Sequence, residues 1–245
     1  MKLIINADDF GLSKSISDGI IEGIKSGCIT STSIMANMEY AEYAIKEAIK
    51  NNINCIGLHI NITVGKPIID NKNLVDDNGV FLYNRTQIEN PKLTYEDAYN
   101  EIMAQMKRIE EYSNGLIQID HLDIHHHLID NEKIKKAIID VAKKYNIPIR
   151  NMFECDIPKP DILYDNFTIK NVSIASLEEM ISTYQEKDIV IELMTHPGYI
   201  DEYTRSITSY TERDNELQVL KEAKDKGLFN KIELINFKQL KKCQK

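Results

Sequence analysis

The chain has 245 residues, 42% of them hydrophobic, and its 38 acidic against 30 basic side chains give a net charge of -8. That length supports one substantial core, and the acidic balance argues against a nucleic-acid or anionic-membrane surface, both of which need clustered Lys and Arg. Four scattered cysteines without CxxC spacing, no secretory leader and no apolar run of the roughly 18 to 20 residues that a membrane span needs point to a reduced, cytoplasmic protein.

In chain order, KLIINA reads as a buried first strand. Ser13 is a candidate cap for a helix whose Ile16, Ile20, Ile21 and Ile24 fall at helical spacing, with Gly27 placed for its C-terminus. TSTSIMA at 30–36 predicts a second strand, followed by a helix over about 39–51, and CIGLHINI from Cys55 predicts a third strand. Residues 64–92 are rich in Asp, Asn, Gly and Pro, and a connection that long is usually a functional loop or lid. Thr94 then caps a long helix with an apolar stripe of Ala98, Ile102, Met106 and Ile109, ended by Asn114 and Gly115.

LIQIDHLDIHHH predicts the fourth strand, about 131–145 a helix, and IPIRNM a fifth strand, with a less regular stretch to about 175. Ser176 and Glu179 have capping-box spacing for a further helix, DIVIELMTH is a strand, and 212–227 with KIELINF close the series. Strand and helix alternate about seven times, the pattern of a parallel sheet flanked by helices in a single α/β domain.

Parallel sheets bind ligands at the carboxyl ends of their strands. Asp8 and Asp9 end the first strand, His59 and Asn61 the third, Asp123 and His125 to His127 the fourth, Arg150 the fifth, and Thr195 and His196 the penultimate one. Acids, imidazoles and a guanidinium therefore converge on one rim. Two imidazoles and a carboxylate make an open-sided metal site. Strand alternation places Asp123, His125 and His127 on one face and His126 on the other, so at most two of the three consecutive histidines can be ligands.

Each residue alone has a plainer reading. The Asp8–Asp9 pair could cap the following helix as an Asx turn, and His59, His121 and His126 could be satisfied core histidines. Asp123 could orient an imidazole rather than bind metal. Arg150 could be a solvated charge pairing with the acidic rim, and HPG at 196–198 only a turn. Their coincidence at strand ends favours a site.

Four ordered stretches, NADDFGLS, GLHINITVGKP, HLDIHHH and THPGY, resemble the YdjC-like (ChbG-type) carbohydrate deacetylase family from Asn6 to about Tyr199. The resemblance implies a distorted or incomplete (β/α) TIM-like barrel and one divalent metal ion per subunit, commonly magnesium. It implies removal of an acetyl group from an N-acetylated sugar such as a chitooligosaccharide, and a homodimer. Carried over by motif, Asp9, His59 and His125 become metal ligands, Asp8 the catalytic base and His196 the general acid. Arg150, Tyr199 and His127 are candidate substrate contacts, and with no tryptophan in the chain, Tyr83 or Phe81 of the long loop are further candidates for stacking on a sugar ring. Two imidazoles among three ligands suit zinc better than magnesium, which prefers oxygen. The family's usual serine and last histidine of the fourth strand are Ile124 and Ile129 here. A metal-dependent phosphoesterase and a non-catalytic sugar-binding module are the alternative functions, and retention of both Asp8 and His196 argues against the second.

Overall fold

The computed structural model describes residues 1–243. Its strands form one seven-stranded sheet, with all pairings parallel. They are β1 (Lys2–Phe10), β2 (Ser31–Ile34), β3 (Ile56–Ile60), β4 (Leu122–Ile124), β5 (Ile162–Tyr164), β6 (Val190–Thr195) and β7 (Glu233–Leu234). The spatial order is β4-β3-β2-β1-β6-β5, and β7 pairs with the first residues of β1. No ladder joins β4 to β5, so the sheet is an incomplete barrel, as expected.

Helices α1 (Lys14–Ser26), α2 (Ala41–Lys50), α3 (Asn84–Ile88), α4 (Tyr95–Ser113), α5 (Glu132–Tyr145), α6 (Ile174–Tyr184), α7 (Glu202–Ile207), α8 (Arg213–Asp225) and α9 (Phe237–Cys243) occur between or after the strands. Local chemistry sets their ends. The Ser13 hydroxyl accepts from the Ile16 amide at the start of α1, and Gly27 closes it in the left-handed conformation. Thr94 and Asp97 form a reciprocal capping box on α4, which ends on left-handed Asn114. The third N-terminal cap differs from expectation. Ser173, not Ser176, caps α6, because its hydroxyl accepts from the Ser176 amide and Ser176 lies inside the first turn.

IPIRNM is not a ladder strand. Ile149 makes a lone bridge to Leu122, and its own amide turns away to the Pro158 carbonyl. The strand that joins the sheet is Ile162–Tyr164, whose three side chains are only half-buried and so gave little hydrophobic signal. The predicted fourth strand is also shortened, to Leu122–Ile124.

The core runs under both halves of the sheet, with Leu3, Ile5, Ile16, Ile20, Leu58, Ile102, Ile138, Leu193 and Leu220 essentially inaccessible. α1 packs against α8 and α4 against α5. A close backbone approach fixes α1 against the chain after β6: a Cβ on Gly19 would stand 2.7 Å from the Gly198 Cα, and one on Gly198 2.9 Å from the Ile16 Cα. The loop carrying His196 is thereby held flush to α1. Cys28, Cys55 and Cys155 are free thiols, and among the described residues no helix is long and apolar enough to cross a membrane.

Candidate metal centre and proton-transfer groups

Side chains alternate along a strand, so two adjacent aspartates can both face one site only where the strand departs from regular geometry. β1 slips register against β2 between Ala7 and Phe10, and Asp9 sits at φ 68°, in the left-handed region. This bulge re-aims Asp9 toward the side that Asp8 already faces. An L-residue in that conformation costs about 1 to 2 kcal/mol, least for the short polar side chains, and Asp8 and Asp9 are each 1% exposed.

Asp9 Oδ1 lies 3.4 Å from His59 Nε2 and 3.3 Å from His125 Nδ1, and those two nitrogens are 3.2 Å apart. The oxygen is buried and has no hydrogen-bond partner. Three donor atoms at nearly equal spacing, one of them an orphaned carboxylate oxygen, fit a single divalent ion. His59 is also set up from behind. Its Nδ1 meets Asp123 Oδ1 at 2.7 Å, which leaves Nε2 to act as donor. Asp123 opposes His59 in the β3–β4 register and is itself held by the Ser33 hydroxyl at 2.8 Å.

Asp8, His59 and Asp123 form a second acidic cluster, but it is already filled by a cation. Arg150 donates to Asp8 Oδ2 at 2.7 Å and Oδ1 at 2.6 Å, contacts Asp123 Oδ2 at 3.0 Å, and donates from Nε to Glu192 Oε1 at 2.8 Å. Arg150 is wholly buried, so it is not the solvated charge of the plainer reading. The guanidinium serves the carboxylates, because a buried charge without partners would cost far more than the pairs return. On the other side, Arg213 of α8 donates to Asp9 Oδ2 at 2.6 Å.

Four buried carboxylates, Asp8, Asp9, Asp123 and Glu192, thus meet two guanidiniums and the His59 imidazole. Burial pushes Asp8 and Asp9 upward, but Arg150 and Arg213 respectively override it and hold both well below the usual carboxylate range. Burial would lower His59, yet Asp123 and Asp8 outweigh it and push its pKa up to about 10. His196 has the opposite balance. Burial wins over Asp8 and Asp9, and its pKa falls to about 4, so the imidazole is neutral at rest rather than protonated. Its Nε2 lies 3.9 Å from Asp8 Oδ2.

The histidine run does not follow strand alternation. β4 stops at Ile124, and His125–His127 make a tight 3-10 turn in which His126 and His127 have φ of 60° and 50°. His126 is therefore not on an opposite face. Its ring lies 3.9 Å from that of His125, its Nδ1 is 3.0 Å from the Thr63 hydroxyl, and Tyr83 stands edge-on at 5.0 Å. His127 is half-buried, with its pKa lowered by burial and then by Arg150. His121 is structural: wholly buried, paired with Asp120 at 2.6 Å and stacked on Phe237. Tyr199 is turned away from the histidines, its hydroxyl donating to Glu22 beside Lys221 at the α1–α8 seam. Of the loop aromatics, Phe81 is core at 3% exposure and Tyr83 is exposed.

Arg213, Glu192 and Glu216 escaped the sequence reading. Glu216 accepts the His196 amide at 2.5 Å and the Tyr210 hydroxyl. Glu192 carried a signal, since a lone acid inside the apolar run IVIELM must find a partner where both faces of a strand are buried. Arg213 carried almost none, because an arginine on an amphipathic helix normally reads as solvated.

A family model described as YdjC-like protein matches residues 2–230. A carbohydrate deacetylase of Clostridium beijerinckii is 36% identical to the chain, covering 98% of it and 100% of the relative. A crystal structure from Enterococcus faecalis, named for proposed cellobiose-phosphate cleavage, superposes with a TM-score of 0.88 at 29% identity and 98% coverage of each chain. The CE4 domain of a multidomain xylanase from a termite hindgut metagenome shares the fold alone, with a TM-score of 0.56 at 8% identity. With the four motifs, the incomplete barrel and the Asp9–His59–His125 triangle all in place, the chain belongs to the YdjC-like family.

Proposed function

We propose that the protein is a divalent-metal-dependent hydrolase that removes the acetyl group from an N-acetylated sugar, such as a chitooligosaccharide, and releases acetate. The observation that carries this is the triangle of Asp9 Oδ1, His59 Nε2 and His125 Nδ1 standing directly beside Asp8 and His196. The name of the Clostridium beijerinckii relative, carbohydrate deacetylase, supports an acetylated carbohydrate as the substrate.

Asp9, His59 and His125 would hold the ion, which supplies Lewis acidity that polarises an amide carbonyl and makes water more acidic. Asp8 is ionised at neutral pH because Arg150 holds it so, and it takes the proton from the attacking water. Since His196 is neutral at rest, the proton it delivers to the leaving nitrogen is one taken up during the reaction. Asp8 Oδ2, 3.9 Å from its Nε2, is placed to pass it. Arg150 keeps Asp8 from turning toward the ion. Half-buried His127 and exposed Tyr83 remain candidates for substrate contact. The two-nitrogen, one-oxygen donor set favours zinc over magnesium.

Acetate release from N-acetylated mono-, di- and longer sugars, with and without chelator and added metals, tests the reading, with cellobiose phosphate as the comparison substrate. Chelator-sensitive acetate release is expected. Phosphate or glucose release instead, or sugar binding without any turnover, would overturn it.

A further inference from the structure

We propose that Arg213 is a positioning residue that restricts Asp9 to a single donor oxygen and so tunes which divalent ion the centre prefers. The inference rests on the metal reading above. Arg213 Nη2 donates to Asp9 Oδ2 at 2.6 Å, while Oδ1 has no hydrogen bond and faces His59 and His125. The two oxygens of one carboxylate thus have separate assignments. Both side chains are at most 2% exposed, so water does not compete for either.

Arg213 is itself fixed. It is the first residue of α8, its carbonyl accepts from the Gly198 amide at 3.2 Å, and its Nη1 reaches the His196 carbonyl at 3.4 Å. One turn later Glu216 accepts the His196 amide, and Tyr210 lies 5.5 Å from the guanidinium. The start of α8 is latched to the end of β6 from two sides, so the guanidinium cannot follow a rotating carboxylate. Its position also opposes the helix macrodipole, which disfavours a cation at an N-terminus. Its contribution therefore lies in the contact with Asp9 rather than in helix stability.

Hard cations such as Mn2+ and Mg2+ gain from a second carboxylate oxygen, whereas one oxygen with two imidazoles is a zinc-like set. Releasing Oδ2 should shift the balance toward the hard ions. Metal-free wild type, R213Q and R213K are titrated separately with Zn2+ and Mn2+ against a chromophoric chelator, with circular dichroism as a fold control. R213Q is expected to lower the ratio of Zn2+ to Mn2+ affinity roughly ten-fold, the usual reach of a group that orients a ligand. R213K, which keeps the charge but loses the fork, is expected to lower it less. An unchanged or raised ratio in R213Q, or equal weakening of both ions, overturns the inference. If R213Q does not fold, R213K decides, and an unchanged ratio there overturns it. Wild type that binds neither ion overturns the metal reading itself, whereas binding with an unchanged ratio overturns the role of Arg213 alone.

Discussion

Arg150 grips both oxygens of Asp8, at 2.6 Å and 2.7 Å, from a position without solvent exposure. The pair explains how two neighbouring aspartates divide their work. Asp8 is bound to a guanidinium on the sheet side, and Asp9 is turned by the β1 bulge toward the histidines. A carboxylate so gripped stays ionised but is a weaker base, so its proton uptake must be driven by an unusually acidic water.

Asp8→Asn should therefore retain metal and lose on the order of 10² to 10⁴ in turnover, the usual worth of a positioned general base. It also leaves Arg150 with one partner fewer. Breaking a buried pair costs about 3 to 5 kcal/mol, reduced here because Asp123 and Glu192 still hold the guanidinium. Metal content, acetate release and thermal melting on one preparation separate these effects. Near-normal acetate release would end the role of Asp8 as base.

Among the histidines, His125→Ala should strip a stoichiometric divalent ion while His127→Ala keeps it. His125 is the cleaner probe because its side chain is 15% exposed and, among the described residues, makes no ion pair beyond the site. His59→Ala should also lose metal but destabilise more, since it removes the imidazole facing Asp123 at 2.7 Å. Elemental analysis showing full occupancy in His125→Ala would remove it from the ligand set.

The periodicity located β1, β3, β6 and most helices because buried parallel strands are runs of Ile, Leu and Val. It failed at β5, where the side chains are half-buried, and at the fourth strand, where a left-handed turn replaces extended chain after Ile124. Asp9, His59 and His125 were legible as strand-end groups. The partners that govern their charge were not: Arg213 and Glu216 come from α8, far along the chain, and local sequence cannot show which buried cation answers which acid. Arg150 was legible as a partner of the acidic rim but not as a buried one, since burial depends on the closure of the sheet around it.

The long loop is ordered by side chains at its edges. Asn61 accepts from the Thr63 and Val64 amides, Glu101 from those of Ile68 and Ile69, and Gln87 donates to the Ile62 and Leu74 carbonyls. Tyr83, 65% exposed, is left standing over His126. Tyr83→Ala should lower activity on di- and longer sugars relative to a monosaccharide by about 2- to 10-fold, matching about 0.5 to 1.5 kcal/mol for an aromatic contact. An unchanged ratio across the panel would count against the loop as a determinant of substrate size.

Glu216 gives the pH dependence a sign. Burial pushes its pKa up from 4.5 to about 7, against the opposing donations from Tyr210 and the His196 amide. A carboxyl raised in the folded state contributes stability that is fully present below 4.5 and is lost as pH rises through about 7. Each pH unit between those values is worth about 1.4 kcal/mol, so the loss reaches at most roughly 3 kcal/mol. Glu216→Gln cannot ionise and escapes that loss, although it gives up one acceptor for the His196 amide at every pH. The variant should be less stable than wild type at pH 5, and the gap should close or invert by pH 8. Urea midpoints of the two proteins across this range decide the matter. A difference that stays constant with pH would mean that Glu216 titrates in its ordinary range and that its burial is fully compensated by Tyr210 and the His196 amide.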